Sequence, residues 1–287
     1  MITHIFQSLK FRVRHQLRQL RVAVKKHAGN VMSHKQGDKY SRFIGDVTTL
    51  IGPLRGKRIV EIGSDATGTL LRALAEKGAS EVSGINPALL ETFQKGGMHL
   101  IKGDARCLPF TESSIDLIVS ISVLEHVRDL DEVLDEAIRV LVPGGYFYAE
   151  FGPIWSAIWG HHLWFYHGGE VVDWRTHPLP PYGHLLMTPV EMRAWCAERF
   201  QNHELASMIT EFVFHSPDQN RLFYSDYQEI IQQSKFETLM FTGCPDLPMK
   251  QTTSDTPMCE RLELLRTRYP DKSGFGYHVA KVLLRKP

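Results

Sequence analysis

Cysteine is scarce in this 287-residue chain: Cys107, Cys196, Cys244 and Cys259 form no CxxC pair and keep no regular spacing. That excludes a zinc-ribbon site and a disulfide framework, and the four read as reduced thiols of a cytosolic protein. Long apolar runs are missing as well. Nothing approaches the roughly 18 uncharged apolar residues of a membrane-spanning helix, which removes integral membrane functions. Internal repeats and low-complexity tracts are absent too. With 43% apolar and 23% charged residues the chain has an ordinary globular composition and the length for a large core, which excludes disorder, collagen and coiled coil.

Acidic residues are missing from the first 37 positions. That stretch holds eight basic residues, Lys10, Arg12, Arg14, Arg18, Arg21, Lys25, Lys26 and Lys35, leaving 25 basic against 32 acidic in the rest. The total charge of +1 therefore hides a basic arm on an acidic body. The start lacks the apolar core and cleavage site of a secretory signal, although an Arg-rich, acid-free start also describes an organellar transit peptide. Ile2, Phe6, Leu9, Val13, Leu17, Leu20 and Val24 recur at three- and four-residue steps, with Lys10, Arg14, Arg18, Arg21 and Lys25 one residue out of phase. This is the pattern of an amphipathic basic helix. Such a helix either packs its apolar stripe on the body or meets an anionic membrane or acceptor, so the expected location is cytoplasmic, with peripheral membrane contact through the arm as the second option.

From about residue 57, short apolar runs alternate with helical stretches, the pattern of a parallel sheet wound with helices. Strands are expected over 58–63, 81–85, 98–102, 115–121 and 146–151, then over 236–241 and 277–284. Helices are expected over 69–77, 130–140, 188–199 and 226–234. Pro143-Gly144-Gly145 reads as the turn that stops the second of these helices. Residues 152–187 are irregular and rich in Trp, His, Pro and Gly, too long for a plain connection and too aromatic for disorder. The division expected is a basic arm (1–37), a core (38–151), an inserted lid (152–224) and closing helices and strands (225–287).

Between the first strand and its helix lies Gly63-Ser64-Asp65-Ala66-Thr67-Gly68. A glycine-bearing strand-to-helix turn lets a ligand approach the backbone and aims helix N-terminal amides at it, yet two glycines alone describe a tight structural turn equally well. Later segments add specificity. VEIGSDATG (60–68), KGDARCLPF (102–110), IDLIVSISVLEHV (115–127) and RVLVPGGYFYAEFGP (139–153) follow the order found in class I S-adenosylmethionine-dependent methyltransferases, and the chain resembles their quinone-biosynthesis and small-molecule branch. The resemblance covers about residues 55–152. It implies a Rossmann-like α/β fold: a mostly parallel seven-stranded sheet with helices on both faces, plus the N-terminal helix and the lid.

It also implies S-adenosylmethionine as cofactor. Glu61, Gly63, Ser64 and Gly68 match the family's cofactor loop, where backbone groups meet the methionine part. Asp104 and Ala105 match the segment beside the adenine, Ser120 the strand end under the cofactor, and Asn86 the position that takes the ribose hydroxyls. Taken singly, Glu61 could bond a nearby amide and Asp104 could cap a turn before Arg106. Two departures stand out: Asp65-Ala66 replaces an expected middle glycine, and Asn86 replaces an acidic residue, forgoing charge assistance. A non-catalytic cofactor-binding or scaffold protein, the competing reading, draws on both.

Methyl transfer from a sulfonium mainly needs alignment, but a hydroxyl nucleophile must also lose a proton. A small-molecule or sugar acceptor methylated on a hydroxyl oxygen is the expectation, with nitrogen and carbon open. His126 at the fourth strand's end, and His162 and His184 in the lid, are the candidate bases, since a neutral imidazole accepts a proton at cellular pH. The lid gathers five of the fourteen histidines (161, 162, 167, 177, 184) and four of the five tryptophans (155, 159, 164, 174). A metal site is set aside: adjacent His161 and His162 diverge on a helix or strand, and no HExxH is present. No nucleic-acid partner is expected, because the body is acidic and the base-methylating signature at the fourth strand's end is replaced by Ser120-Ile121-Ser122.

Overall fold

The alternation of apolar runs and amphipathic stretches folds into an α/β chain of two compact units. One comprises the residues up to Val119 with Val140–Val142, the other Ser120–Arg139 with Pro143–Pro287. The computed structural model describes residues 33–245 and 257–287, so the basic helix expected from Ile2 to Lys25 lies outside the described residues.

In the first unit, α1 (Ser33–Ile51) buries Phe43, Ile44 and Val47. It ends where Gly52 takes φ 93° and donates to Thr48 O at 3.0 Å, with Pro53 unable to extend the helix. β1 (Arg58–Ile62) leads through the glycine-bearing turn into α2 (Thr69–Glu76), whose Leu70, Leu71 and Leu74 are buried. β2 (Glu81–Ile85) returns parallel to β1, with Ile62 opposite Ile85. β3 (Phe93–Lys95) and β4 (Met98–Ile101) form a hairpin over Gly96-Gly97, whose positive φ values of 57° and 79° suit a two-residue type I′ turn, and β4 lies parallel to β2. β5 (Ile115–Ile121) buries Leu117, Ile118 and Val119 completely. Arg58 grips Asp116 with a two-pronged bond, Nε to Oδ2 at 2.9 Å and Nη2 to Oδ1 at 3.1 Å, tying the starts of β1 and β5.

The second unit holds α3 (Leu130–Val140) up to Arg139 and most of β6 (Leu141–Phe151). β6 starts two residues before Pro143-Gly144-Gly145, where the sequence predicts a turn. The strand tolerates these residues because Gly144, at φ 76°, still donates to Lys286 O at 2.9 Å, while Pro143 has no N–H to place. The inserted segment contains a second Gly-Gly hairpin, β7 (Trp164–His167) and β8 (Glu170–Asp173), turning at Gly168-Gly169. Next come α4 (Gly183–Leu186) and α5 (Pro189–Phe200), the latter opened by a capping box between Thr188 and Glu191. Beyond these, α6 (His203–His215) and α7 (Tyr224–Gln233) precede β9 (Glu237–Pro245), α8 (Met258–Arg268) and β10 (Tyr277–Arg285). β10 is antiparallel to both β6 and β9, the expected closing pair.

The sheet order is β3-β4-β2-β1-β5-β6-β10-β9. This is the Rossmann-like α/β arrangement, with eight strands among the described residues where the sequence predicts seven. The extra strand, β3, is only three residues long, too short for a period-2 pattern. Strand order reverses between β1 and β5, the place where open α/β sheets accept ligands at the carboxyl ends of their strands.

Candidate active site

At the carboxyl end of β1 a carboxyl group is buried in the first unit. Glu61 is 2% exposed and its Oε2 has no hydrogen-bond partner. Burial pushes its pKa up to about 8, against the opposing effect of a hydrogen bond from Ser64 and with a small further push from Asp65. The chain then turns at Gly63, whose φ of 86° few side chains tolerate and whose N–H donates to Ile85 O at 2.7 Å. Ser64 is held just as closely. A Cβ at Gly84 in β2 would come 2.4 Å from Ser64 Cβ, so Gly84 is what lets the turn lie on β2. The sequence reading missed Gly84, although a glycine inside a strand signals close approach of another backbone.

Asp65, in place of the expected glycine, closes the loop from within. Its Oδ1 accepts from Thr67 N at 2.7 Å and from the Thr67 hydroxyl, and its Oδ2 from Thr69 N at 3.4 Å. The amides of Thr67 and Thr69, expected to point at a ligand, are therefore taken by the protein. Gly68, at φ 64°, caps α2, and a Cβ there would meet Met98 Sδ at 3.2 Å. Asn86 has an internal job as well: Nδ2 donates to Ser64 O at 2.9 Å while Oδ1 accepts from Ala88 N at 2.8 Å. A carboxylate could not make the first of these bonds. One amide hydrogen and one oxygen lone pair remain for a ligand. Asp104 accepts from Arg106 through N at 2.9 Å, Nε at 3.1 Å and Nη2 at 2.8 Å. That guanidinium holds its pKa below the usual carboxylate range. Ala105 beside it is buried.

This donor and acceptor set fits S-adenosylmethionine. The unpartnered Glu61 oxygen is available to a cationic or N–H group, Gly63 leaves the backbone open to close approach, and Asn86 and Asp104 add polar groups at successive strand ends.

In the second unit, Ser120 is buried at the end of β5. A short 3₁₀ turn, Leu124–His126, follows. Buried Glu125 accepts from Gly152 N at 3.1 Å, and exposed His126 bonds Asp218 O through Nδ1. A carbonyl only accepts, so Nδ1 carries a proton, and in the neutral ring Nε2 is the nitrogen that can accept one. The His162 ring stands edge-on to His126 at 5.1 Å between centroids and bonds Pro153 O through Nε2. Burial, then the neighbouring His126, lower its pKa to about 3. His184 sits against Trp155 at 4.6 Å, donates from Nε2 to Trp155 O at 2.8 Å, and keeps Nδ1 buried without a partner; burial lowers its pKa to about 4.

His161 lies 5.6 Å from His184 and is fully buried, which the sequence reading did not foresee. Its Nδ1 accepts from Leu163 N at 3.0 Å. His167 and His177 stand apart from this cluster, His167 in the β7–β8 hairpin and His177 against Phe200. Among the described residues, no group of three or more His, Cys, Asp or Glu is placed to hold a metal ion. Asn220, also unforeseen, ties distant segments together, and nothing in its local sequence marks it. It donates from Nδ2 to Leu124 O at 2.7 Å and Val127 O at 2.8 Å, and its Oδ1 accepts from Tyr227 OH at 2.9 Å.

Residues 60–149 match the model of a methyltransferase domain family. The chain is 25% identical over 200 residues to the ubiquinone/menaquinone biosynthesis C-methyltransferase UbiE of Vibrio vulnificus, covering 65% of this chain and 72% of that protein. It is 34% identical over 108 residues to the phthiotriol/phenolphthiotriol dimycocerosates methyltransferase of Mycobacterium leprae, covering 35% and 40%. Among solved structures, an S-adenosylmethionine-dependent methyltransferase from Mesorhizobium loti superposes with a TM-score of 0.48 at 16% identity, over 84% of this chain and 96% of that one. With the glycine-bearing turn, the sheet order and the matched model in agreement, residues 60–149 form an S-adenosylmethionine-dependent methyltransferase domain.

Proposed function

We propose that the enzyme methylates a hydroxyl oxygen of a small molecule or sugar, with His126 as the base. The observation that carries this reading is the orientation of His126: Asp218 O holds the Nδ1 proton, which leaves Nε2 of the exposed ring as its accepting nitrogen when neutral. His162 and His184 are weaker candidates, because burial has made them poor proton acceptors near neutral pH. Glu61, Gly63 and Ser64 would hold the methionine part of the cofactor, Asn86 the ribose, and Asp104 with Ala105 the adenine, while Ser120 would lie beneath it. The cofactor supplies an electrophilic methyl group, and the protein aligns the acceptor and removes its proton. The basic arm is proposed to meet an anionic surface or acceptor.

Similarity to a C-methyltransferase favours a second reading, methylation of a ring carbon activated by deprotonating a neighbouring hydroxyl. The same base would serve. The test compares His126→Gln, His162→Gln and His184→Gln for turnover on phenolic and sugar acceptors, with S-adenosylhomocysteine affinity measured alongside and the methylated atom located by NMR. His126→Gln is expected to lose about 10²- to 10⁴-fold in kcat with cofactor affinity kept. Near-normal turnover in that variant would remove the base from the mechanism.

A further inference from the structure

Two arginines in the second unit are brought together by a backbone zipper. Asn220 donates to Leu124 O and Val127 O through its side chain, its N–H donates to Glu125 O at 3.1 Å, and His126 bonds Asp218 O. The residues that follow each side of this zipper are Arg128 and Arg221. Arg221 is half-buried with its guanidinium over the Trp155 ring, 5.5 Å from the centroid. Its Nη2 donates to Ser216 O at 2.9 Å and Val213 O at 3.4 Å at the end of α6. Its Nε is buried without an acceptor. Among the described residues, neither arginine forms an ion pair with a carboxylate. Burial, then the charge of Arg128, lower the pKa of Arg221.

The helix-end carbonyls engage only Nη2 and offer partial charges. A half-buried guanidinium facing a second cation is costly unless an anion compensates it, and its planar fork matches an oxyanion. Arg221 also holds a left-handed backbone, φ 58°, uncommon for a residue of its type. We propose that Arg221 and Arg128 bind an oxyanion of the methyl acceptor, a carboxylate or phosphate group, beside the Trp155 ring. This rests on the second unit being the acceptor side of a methyltransferase.

The test uses the full chain without cofactor. Titrations with inorganic phosphate and with acetate, at ionic strength matched by sodium chloride, are followed by calorimetry and melting temperature. At least one anion is expected to bind beyond the chloride control, and the preferred anion identifies the group. Arg221→Gln should weaken that binding about tenfold or more, with Arg221→Lys recovering only part, and Arg128→Gln should weaken it several-fold. Equal binding by wild type, Arg221→Gln and Arg128→Gln, or no excess over chloride, overturns the proposal. If Arg221→Gln fails to fold, the exposed Arg128 carries the test. S-adenosylhomocysteine binding on the same samples separates the two ideas: its loss in wild type strikes the methyltransferase reading and leaves the anion result standing.

Discussion

Each unit buries ionisable groups whose pKa burial shifts toward the uncharged form, a carboxyl in the first and imidazoles in the second. In the first, a carboxyl at the end of β1 holds its proton up to about pH 8; in the second, His162 and His184 shed theirs down to about pH 3 and 4. Burial is the leading cause each time, since a low-dielectric interior penalises the charged form whichever sign it has. The consequences for stability run in opposite directions. Native Glu61 binds more protons than the unfolded chain between about pH 4.5 and 8, so its contribution is complete below that window and is lost as pH rises through it. The native histidines bind fewer protons than the unfolded chain below their ordinary value of 6.5, so their contribution is lost as pH falls. Alkali should loosen the first unit and acid the second.

The largest expected effect comes from removing the acid. Glu61→Gln stays neutral at every pH, so its stability relative to wild type should grow from pH 5 to pH 9 by up to about 5 kcal/mol, the cost of ionising a carboxyl whose pKa is raised by about 3.5 units. Urea denaturation at the two pH values measures it, and a constant difference would mean that Glu61 is ionised at neutral pH. The matching change in the second unit is His184→Gln, which should flatten the loss of stability between pH 6.5 and 4 by about 3 kcal/mol. An unchanged acid slope would show that this ring is already protonated when buried.

The same two regions differ in how far their sequences disclose them. In the first, the chemistry is local: strand, turn and helix follow within a few residues, and Glu61, Gly63, Asn86 and Asp104 lie at strand ends that periodicity locates. What local pattern could not show is who bonds whom. Asp65, which stands where a glycine is expected, spends its carboxylate on Thr67 and Thr69, and Asp104, marked for the ligand, also spends its own on Arg106. The second unit is assembled from distant segments. The bonds of Asn220 to Leu124 and Val127, and of His126 to Asp218, span more than ninety positions, which no window of sequence contains. The spacing of Leu205, Ile209, Phe212 and Val213 marks α6, a helix that the sequence reading did not place within the lid of 152–224. The β3 and β7–β8 hairpins were marked only by their Gly-Gly turns.

Smaller effects test the loop itself. Gly84→Ala forces a methyl against Ser64 at 2.4 Å, and overpacking of this kind should cost about 1–3 kcal/mol together with cofactor affinity. If S-adenosylhomocysteine binds this variant normally, the contact between β2 and the turn is not what shapes the site.

Asn86→Asp gives the smallest change and separates two roles of one residue. If the side chain mattered only to the ribose, a carboxylate should bind at least as well as the amide, because charge-assisted bonds to hydroxyls are stronger. The structure gives Nδ2 a donor role toward Ser64 O at 2.9 Å, which an ionised aspartate cannot fill and which would set its oxygen against that carbonyl. Losing the bond should cost about 1–2 kcal/mol of stability. Cofactor affinity should fall with it, since Ser64 belongs to the turn proposed to meet the methionine part. Asn86→Ala serves as the reference: it loses the bond and any ribose contact but adds no repulsion. Aspartate binding more weakly than alanine would place the amide's main work in the loop. Aspartate binding more tightly than wild type would return Asn86 to the ribose and leave its bond to Ser64 incidental.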